Sequence, residues 1–245
     1  MISKNLLKFI KSLQIKKQRD EHQQFIVEGR KCVLELLRSY YAVETVFYTK
    51  EYEKEVEPYF KKSHFELISA AELASISRLE TNTSLLALAH MKEQEIQDFS
   101  GFSMVLDGIR DPGNLGTIIR TADWFGIKNI ICSSDTVDFY NPKVITSTMG
   151  SFARTNVVYT DLLEYIPKIK EEHNLKVFGT LLKGESLYTL KAKNGLIIIG
   201  NESKGISEKM INMIDVPVTI EGRGDAESLN AAVAASIVMY ELTKS

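Results

Sequence analysis

Three polar stretches hold the residues whose types and spacing could do chemistry. Asn114, Gly116 and Arg120 stand in the pattern N-x-G-x-x-x-R. An arginine near a glycine-rich helix start suits a phosphate or another anion, since free backbone N–H groups and a planar cation act there together. The second stretch is Gly200-Asn201-Glu202-Ser203-Lys204-Gly205, at the end of the apolar run Leu196–Ile199. The third follows Val216–Ile220 and comprises Glu221-Gly222-Arg223-Gly224 and then Glu227-Ser228-Leu229-Asn230. Glycine-containing polar loops at the ends of buried strands bring backbone groups up to a ligand. In parallel α/β sheets that edge is where ligands bind. The dinucleotide pattern G-x-G-x-x-G is absent, and no Gly-Lys-Ser/Thr marks a phosphate-binding loop. A lone arginine on an amphipathic helix is ordinarily a surface residue, and a lone serine before a helix an N-cap. The three stretches carry weight only together.

The elements that must position them alternate along the chain. In the second half, strands are expected at Met104–Leu106, Asn129–Cys132, Asn156–Tyr159, Lys176–Thr180, Leu196–Gly200 and Val218–Ile220. Helices are expected over Thr117 to about Phe125, from Asn141-Pro142-Lys143 to Met149, and over Asp161–His173, Ser207–Met213 and Ser228–Thr243. This spacing places Arg120 one turn into its helix, able to return toward the loop. Strand–helix alternation predicts a mainly parallel sheet with both faces covered. The first ninety residues read as a smaller α/β domain. It has helices at 3–13, 30–40 and 50–62, a polar break at Ile15–Asp20, and strands at Phe25–Val27, Val43–Tyr48, Phe65–Ile68 and Ser84–His90. The polar stretch Lys92–Ser100 reads as a linker. The expected division is residues 1–92, a linker 93–101, and residues 102–245.

Composition narrows the function classes. The chain has 245 residues, 44% hydrophobic and 25% charged, with a net charge of −2, as in an ordinary globular protein. No apolar run reaches the roughly 20 residues of a membrane span, and lysines at 4, 8 and 11 leave no signal-peptide core. Cys32 and Cys132 are far apart, which suits reduced thiols in the cytoplasm. His22, His64, His90 and His173 form no cluster, so no metal site is expected. The charge is unevenly spread, with eight basic and three acidic side chains in residues 1–31, a net of +5. A local basic face can bind phosphate on an acidic protein.

Asp107–Arg120, Ile199–Gly205 and Glu221–Asn230, in that order and spacing, resemble the three motifs of the SpoU-type RNA 2′-O-ribose methyltransferases of the SPOUT class. The resemblance covers residues from about 103 to 243. It extends forward, because Lys16–Arg30, ending Phe25-Ile26-Val27-Glu28-Gly29, looks like the start of the substrate-binding domain common in that family. What it implies is an α/β SPOUT fold: a parallel sheet whose C-terminal part is threaded into a deep trefoil knot, preceded by a small α/β substrate-binding domain. The knot runs against the general rule that chains do not knot, and no periodicity suggests it. The implied cofactor is S-adenosyl-L-methionine, held by backbone groups of Gly200, Asn201, Ile220 and Leu229, with Thr180 and Leu181 near the adenine.

The implied reaction is methyl transfer to a ribose 2′-hydroxyl, in a homodimer whose active site takes motif-one residues from the partner. Arg120, Asn114, Glu202, Ser228 and Asn230 are the implied catalytic residues. Arginine stays protonated, so Arg120 fits a phosphate-binding and alkoxide-stabilising role better than that of a base. Glu202 could orient Arg120 across the dimer or accept the proton. Lys16, Lys17, Arg19 and Arg30 are the candidate RNA contacts. Three stretches depart from the family pattern. Thr146 and Thr148 stand where many relatives carry arginine and serine. Glu221 replaces an apolar or small residue, and Glu80-Thr81-Asn82-Thr83 stands where Thr-Pro-Gln-Gly is common. The first and third of these bear on RNA choice. Ribosomal RNA, 23S in particular, is favoured over transfer RNA. The competing readings are an RNA-binding protein of this fold without activity, which the retained site residues disfavour, and a nucleotide-dependent oxidoreductase, which the missing fingerprint disfavours.

Overall fold

The computed structural model describes residues 2–79, 84–96 and 98–244. Glu80–Thr83 therefore lie outside the described residues. The chain divides into two compact units, one of residues 1–93 with 138–153, the other of residues 94–137 with 154–245. The backbone passes from one unit to the other three times.

In the front unit, α1 (Lys4–Ser12) and α2 (Lys16–His22) precede β1 (Gln24–Glu28), α3 (Arg30–Arg38) and β2 (Val43–Tyr48). The short α4 (Glu53–Val56), β3 (His64–Leu67), α5 (Ala70–Ile76) and β4 (Leu85–His90) complete the first stretch. The expected polar break is thus a helix, α2, and the expected helix over 50–62 is reduced to short turns around α4. Pro58 lacks the N–H and has the ring that end such a helix. The sheet order is β1-β4-β2-β3, antiparallel except for the β2–β3 pair. Phe25, Ile26 and Val27 are all buried, which follows from cover on both faces. Ile26, Leu86 and Leu88 pack with Ile10 and Leu13 from the first helical segment and Leu73 and Ile76 of α5. On the other side Phe25 meets the rings of Tyr41, Tyr140 and Phe152 at 5.7, 4.6 and 6.2 Å.

Two of those rings come from residues 138–153. The segment carries α7 (Pro142–Ser147), capped by Asn141, whose side chain accepts from Lys143 N. The Tyr140 hydroxyl donates to Lys92 O and accepts from Lys92 N, both at 2.9 Å. Thr146 and Thr148 spend their hydroxyls within the segment, on Pro142 O and Ile145 O.

The other unit is built on a six-stranded, wholly parallel sheet in the order β10-β8-β9-β5-β6-β7. Its elements are β5 (Phe102–Asp107), α6 (Pro112–Trp124), β6 (Asn129–Ser133), β7 (Asn156–Thr160) and α8 (Leu162–His173). They continue with β8 (Val177–Ser186), β9 (Gly195–Gly200), α9 (Glu208–Ile211), β10 (Val216–Thr219) and α10 (Ala231–Thr243). Every residue of β9 is buried, as expected of a central strand covered on both faces. On one side Val105, Ile131, Leu196 and Ile198 pack with Ile166 and Ile169 of α8. α10 packs against α6 and β9. No described helix is long and apolar enough to cross a membrane.

Candidate active site

The polar site starts where β9 stops. Asn201 and Gly205 form an isolated antiparallel bridge, each N–H donating to the other's carbonyl at 2.9 Å. The fold-back leaves no room at the strand end: a Cβ on Gly200 would lie 2.2 Å from Gly205 C and Ile206 N. The Asn201 side chain holds the turn from inside. Its Oδ1 accepts from Ser203 N and Lys204 N at 2.9 and 3.1 Å, and its Nδ2 donates to Gly108 O at 2.6 Å. Asn201 is thus a structural part of the loop.

The turn presents Glu202 to the start of α6. Its Oε1 accepts from Asp111 N at 3.2 Å and Asn114 Nδ2 at 2.9 Å, and its Oε2 accepts from Arg110 N at 3.3 Å. A carboxylate there complements the partial positive charge of the helix N-terminus. Partial burial pushes the Glu202 carboxyl up. The hydrogen bonds from Asn114 and from the backbone of Glu202, Asp111 and Arg110 outweigh it and hold the group below its ordinary value. Asn114 Oδ1 accepts from Asn230 Nδ2 at 2.9 Å, and Asn230 Oδ1 accepts from Ala232 N and Val233 N at 2.9 and 3.3 Å. Glu202, Asn114 and Asn230, from three separate elements, form one hydrogen-bonded chain.

Two sequence expectations change here. α6 begins at Pro112, with Asp111 as N-cap accepting from Asn114 N at 2.8 Å. Asn114 is therefore in the helix, and Arg120 lies two turns in, not one. Six residues separate them, about 9 Å along the axis, on different faces. Arg120 is exposed and pairs with no described residue, and the structure does not bring it to the polar chain. The signal for the earlier start was present, since Asp followed by Pro is a standard helix opening. Likewise α10 starts at Ala231 and its N-cap is Asn230. Ser228 is exposed and makes no hydrogen bond with a described residue. The cap role expected of Ser228 belongs to Asn230.

The cofactor candidates gather along neighbouring strands. β8 lies between β9 and β10, and all three run parallel. Val216 and Pro217 face Phe178 and Gly179, whereas Val218 and Thr219 face Glu185 and Ser186, so residues 180–184 bulge out of the ladder. Two hydroxyls pin the bulge: Thr180 Oγ1 donates to Ile198 O at 3.1 Å, and Thr219 Oγ1 to Leu181 O at 3.0 Å. Ile220 follows β10, and residues 221–230 have no helix or strand and are all exposed. Leu182 and Leu229 are apolar yet 80% and 48% exposed. The apolar Leu181, Leu182 and Leu229 and the exposed main chain fit the adenosine part of S-adenosylmethionine, with the charged Lys183, Glu221, Arg223, Asp225 and Glu227 along the same stretches. A separate cleft of about 430 Å³ lies at the ends of β5, β6 and β7, lined by residues including Asp107, Ser133, Asp161 and Ser207. None of the cofactor candidates lines it.

The four basic candidates of the front unit behave differently. Arg19 is 2% exposed. Its guanidinium bonds Asp138 Oδ2 at 2.6 Å and the carbonyls of Leu13 and Gln14 at 2.9 Å. The expectation that Arg19 meets RNA phosphate is corrected by this burial: the cation is consumed inside the unit. Arg30 holds Glu55 through Nε at 2.7 and 3.0 Å, and Lys16 holds Asp20 at 3.1 Å. Lys17 is exposed and pairs with no described residue.

Comparison with known proteins decides what this arrangement belongs to. Residues 101–240 match the SpoU rRNA Methylase family, and residues 4–87 match the MRM3-like substrate binding domain. The chain belongs to the SpoU rRNA methylase family. It is 31% identical over 240 residues, 95% of this chain and 93% of the relative, to the 23S rRNA (guanosine(2553)-2'-O)-methyltransferase RlmP of Bacillus subtilis. Among solved structures, a putative RNA methyltransferase of the TrmH family from Porphyromonas gingivalis covers 98% of both chains at 30% identity and TM-score 0.86. An AdoMet-bound rRNA methyltransferase from Sinorhizobium meliloti covers 98% of this chain and 95% of its own at 26% identity and TM-score 0.88. The SpoU fold with a substrate-binding front domain therefore runs the full length of the chain. Of the SpoU motif residues, the structure brings together Asn114, Glu202 and Asn230 and leaves Arg120 and Ser228 apart.

Proposed function

We propose that this chain methylates a ribose 2′-hydroxyl of 23S ribosomal RNA, as a cytoplasmic homodimer with its donor pocket in a deep trefoil knot. As a SpoU-family protein it is an S-adenosylmethionine-dependent RNA methyltransferase. The full-length likeness to a 23S enzyme supports the choice of RNA. The observation that carries the mechanism is the Glu202–Asn114–Asn230 chain beside the carboxyl end of β9, with Arg120 exposed and paired with no described residue.

Strand order supports the knot. β9 and β10 lie on either side of β8, so the chain leaving β9 crosses β8 and then returns, as α10, onto β9 and α6. The dimer reading rests on the resemblance and on large apolar side chains exposed on α6 and α10: Trp124 at 84%, Val233 at 48% and Tyr240 at 54%. Large apolar side chains exposed on neighbouring helices are what an association surface would cover. Sedimentation of the full chain tests it, and a monomer at micromolar concentration defeats it. RNA binding is assigned to the front unit, residues 1–93 with 138–153, and methyl transfer to residues 94–137 with 154–245, so the division expected at 93–101 is modified by the return of 138–153 to the front unit.

Within this reading, S-adenosylmethionine supplies an electrophilic methyl group. Backbone groups of Gly200, Ile220 and Leu229 would hold it, and Leu181 and the Thr180 bulge would line its adenine side. Asn114 and Asn230 orient the target ribose. Glu202 fixes Asn114 and the α6 start. Its carboxyl is held below the ordinary range, which makes it a weak proton acceptor near neutrality. Arg120 cannot take the proton either. It binds the adjacent phosphate and stabilises negative charge developing on the 2′-oxygen, in the site of the partner subunit. Ser228 lies in the exposed loop that would close over the donor.

Mapping 2′-O-methylation on total RNA from cells with and without the protein is the direct test. Loss of one 23S site is expected. Loss of a transfer-RNA site overturns the ribosomal assignment, and RNA binding with no methyl transfer overturns the activity.

A further inference from the structure

A second basic surface of the front unit lies away from α2, at the corner where α3 ends and the chain enters β3. Two stretches meet there, Arg38–Val43 and Tyr59–His64. Together they hold Arg38, Lys61 and Lys62 and no carboxylate. Tyr59 links the cations: its hydroxyl accepts from Arg38 Nε at 3.2 Å, and Lys62 Nζ stands 5.6 Å from its ring centroid. Lys62 also donates to Leu37 O at 3.5 Å, a carbonyl in the last turn of α3, where a cation complements the helix end. Leu37, Ser39, Tyr41, Lys62 and Ser63 line a hollow of about 340 Å³. Tyr41 is fixed by the rings of Phe25 and Phe152 at 5.7 and 5.9 Å. Its neighbour Tyr40 is 98% exposed, so a rigid backbone holds an uncovered aromatic ring beside a cationic hollow.

We propose that this corner binds an unpaired nucleotide of the RNA substrate, with the base stacked on Tyr40 and its phosphate held by Lys62 and Lys61. This rests on the reading that the chain works on RNA. Recognition of single-stranded RNA combines an exposed aromatic platform with cations that follow the backbone. Both parts are present here. The α2 surface offers the cations without a comparable ring, and most of its charge is already paired. Glu35 of α3 takes Arg38 at 3.1 Å, which leaves Lys61 and Lys62 to complement a polyanion, and the Ser63 hydroxyl at the hollow can meet a base edge.

The test is filter binding of the full-length protein to in vitro transcribed 23S RNA over a salt series. Tyr40→Ala should weaken binding about tenfold, within the range for losing one stacked base. Tyr40→Phe keeps the ring and should bind as the unmodified protein does. Lys62→Ala should flatten the log–log salt slope by about one. Lys50→Ala, an exposed lysine elsewhere on the unit, serves as the control and should change neither. Wild-type affinity in Tyr40→Ala and Lys62→Ala overturns the proposal, as does a Phe variant as weak as the Ala variant. A defect on ribosomal particles but not on naked RNA would give the corner to a protein partner and overturn it too. If the unmodified protein binds the transcript but transfers no methyl group, the activity reading fails while the binding series still decides the corner. If it binds no RNA, both fail.

Discussion

α2 and the start of α6 were both singled out by their charged and polar side chains, and the fold uses them in opposite ways. Around α2 the protein consumes its own cations: Arg19 on Asp138 and two carbonyls, Lys16 on Asp20, and Arg30, next to β1, on Glu55. Around α6 the uncharged groups satisfy one another and the Glu202 carboxylate takes the N–H groups just before the helix, while Arg120 is exposed and pairs with no described residue. The difference teaches that a cation buried against a carboxylate and carbonyls of its own chain is withdrawn from any ligand, whereas an exposed one stays open to it. Arg19 should therefore behave as a residue of stability and Arg120 as a residue of turnover.

The largest effect sharpens the first half of that contrast. Arg19→Met strands Asp138, whose side chain is 15% exposed, and leaves the carbonyls of Leu13 and Gln14 without their donor. Removing one partner of a buried pair costs about 3–5 kcal/mol. Denaturant unfolding should show a loss of that size, with normal activity per folded molecule. A stable Arg19→Met that has lost RNA binding would break the comparison from this side.

Arg120→Ala should do the reverse. As an exposed side chain that pairs with no described residue, it should change stability by no more than about 0.5 kcal/mol. If it stabilises charge that develops only in the transition state, turnover should fall about 10²–10³-fold. S-adenosylmethionine binding, measured by calorimetry, should stay close to that of the unmodified enzyme. Arg120→Lys should rescue little, because a point charge cannot reproduce the planar fork. Lost donor binding with normal turnover at high donor concentration would refute the role.

Asn230 tests the uncharged part of the site. Asn230→Ala loses the cap of α10, at about 1 kcal/mol, together with the tie to Asn114. Asn230→Asp keeps a capping oxygen and loses the amide that donates to Asn114. Its melting temperature should stay near that of the unmodified protein while methyl transfer drops. Equal activity in the Asp variant would reduce Asn230 to a cap.

The smallest effect concerns pH. The Glu202 carboxyl is held below its ordinary value in the folded protein. Its contribution to stability is complete above the unfolded value, about 4.3, and is lost as pH falls through the lower folded value. Melting curves of the unmodified protein and Glu202→Gln should differ at neutral pH and converge in acid. A gap that widens in acid would mean that the protonated carboxyl is the stabilising form.

The catalytic unit was largely legible because a parallel sheet buried on both faces writes each strand as an apolar run, as in Leu196–Ile199 or Met104–Leu106. The start of α6 was misplaced by the glycines at 113 and 116, which look like a loop although Asp111-Pro112 opens the helix. The reach of β8 to Ser186 is hidden because Lys183-Gly184-Glu185 is polar; only Glu185 and Ser186 rejoin the ladder after the bulge at 180–184. In Lys16-Lys17-Gln18-Arg19-Asp20 nothing local says which cation turns inward, since the partner Asp138 is 119 residues away. Knot and cofactor came from motif order, which no hydrophobic period contains.

The segment 138–153 also dictates when the front unit can finish folding. Domains of a growing chain ordinarily close in the order in which they leave the ribosome. Here the sheet of residues 1–93 emerges with β1 partly open on one face, because Tyr140 and Phe152 are still unmade, and Arg19 emerges without its carboxylate. By the time residue 153 is available, β5, α6 and β6 have already been synthesised. The first domain to be translated is therefore not the first to be completed, and a message truncated after residue 93 encodes a front unit that lacks part of its own core.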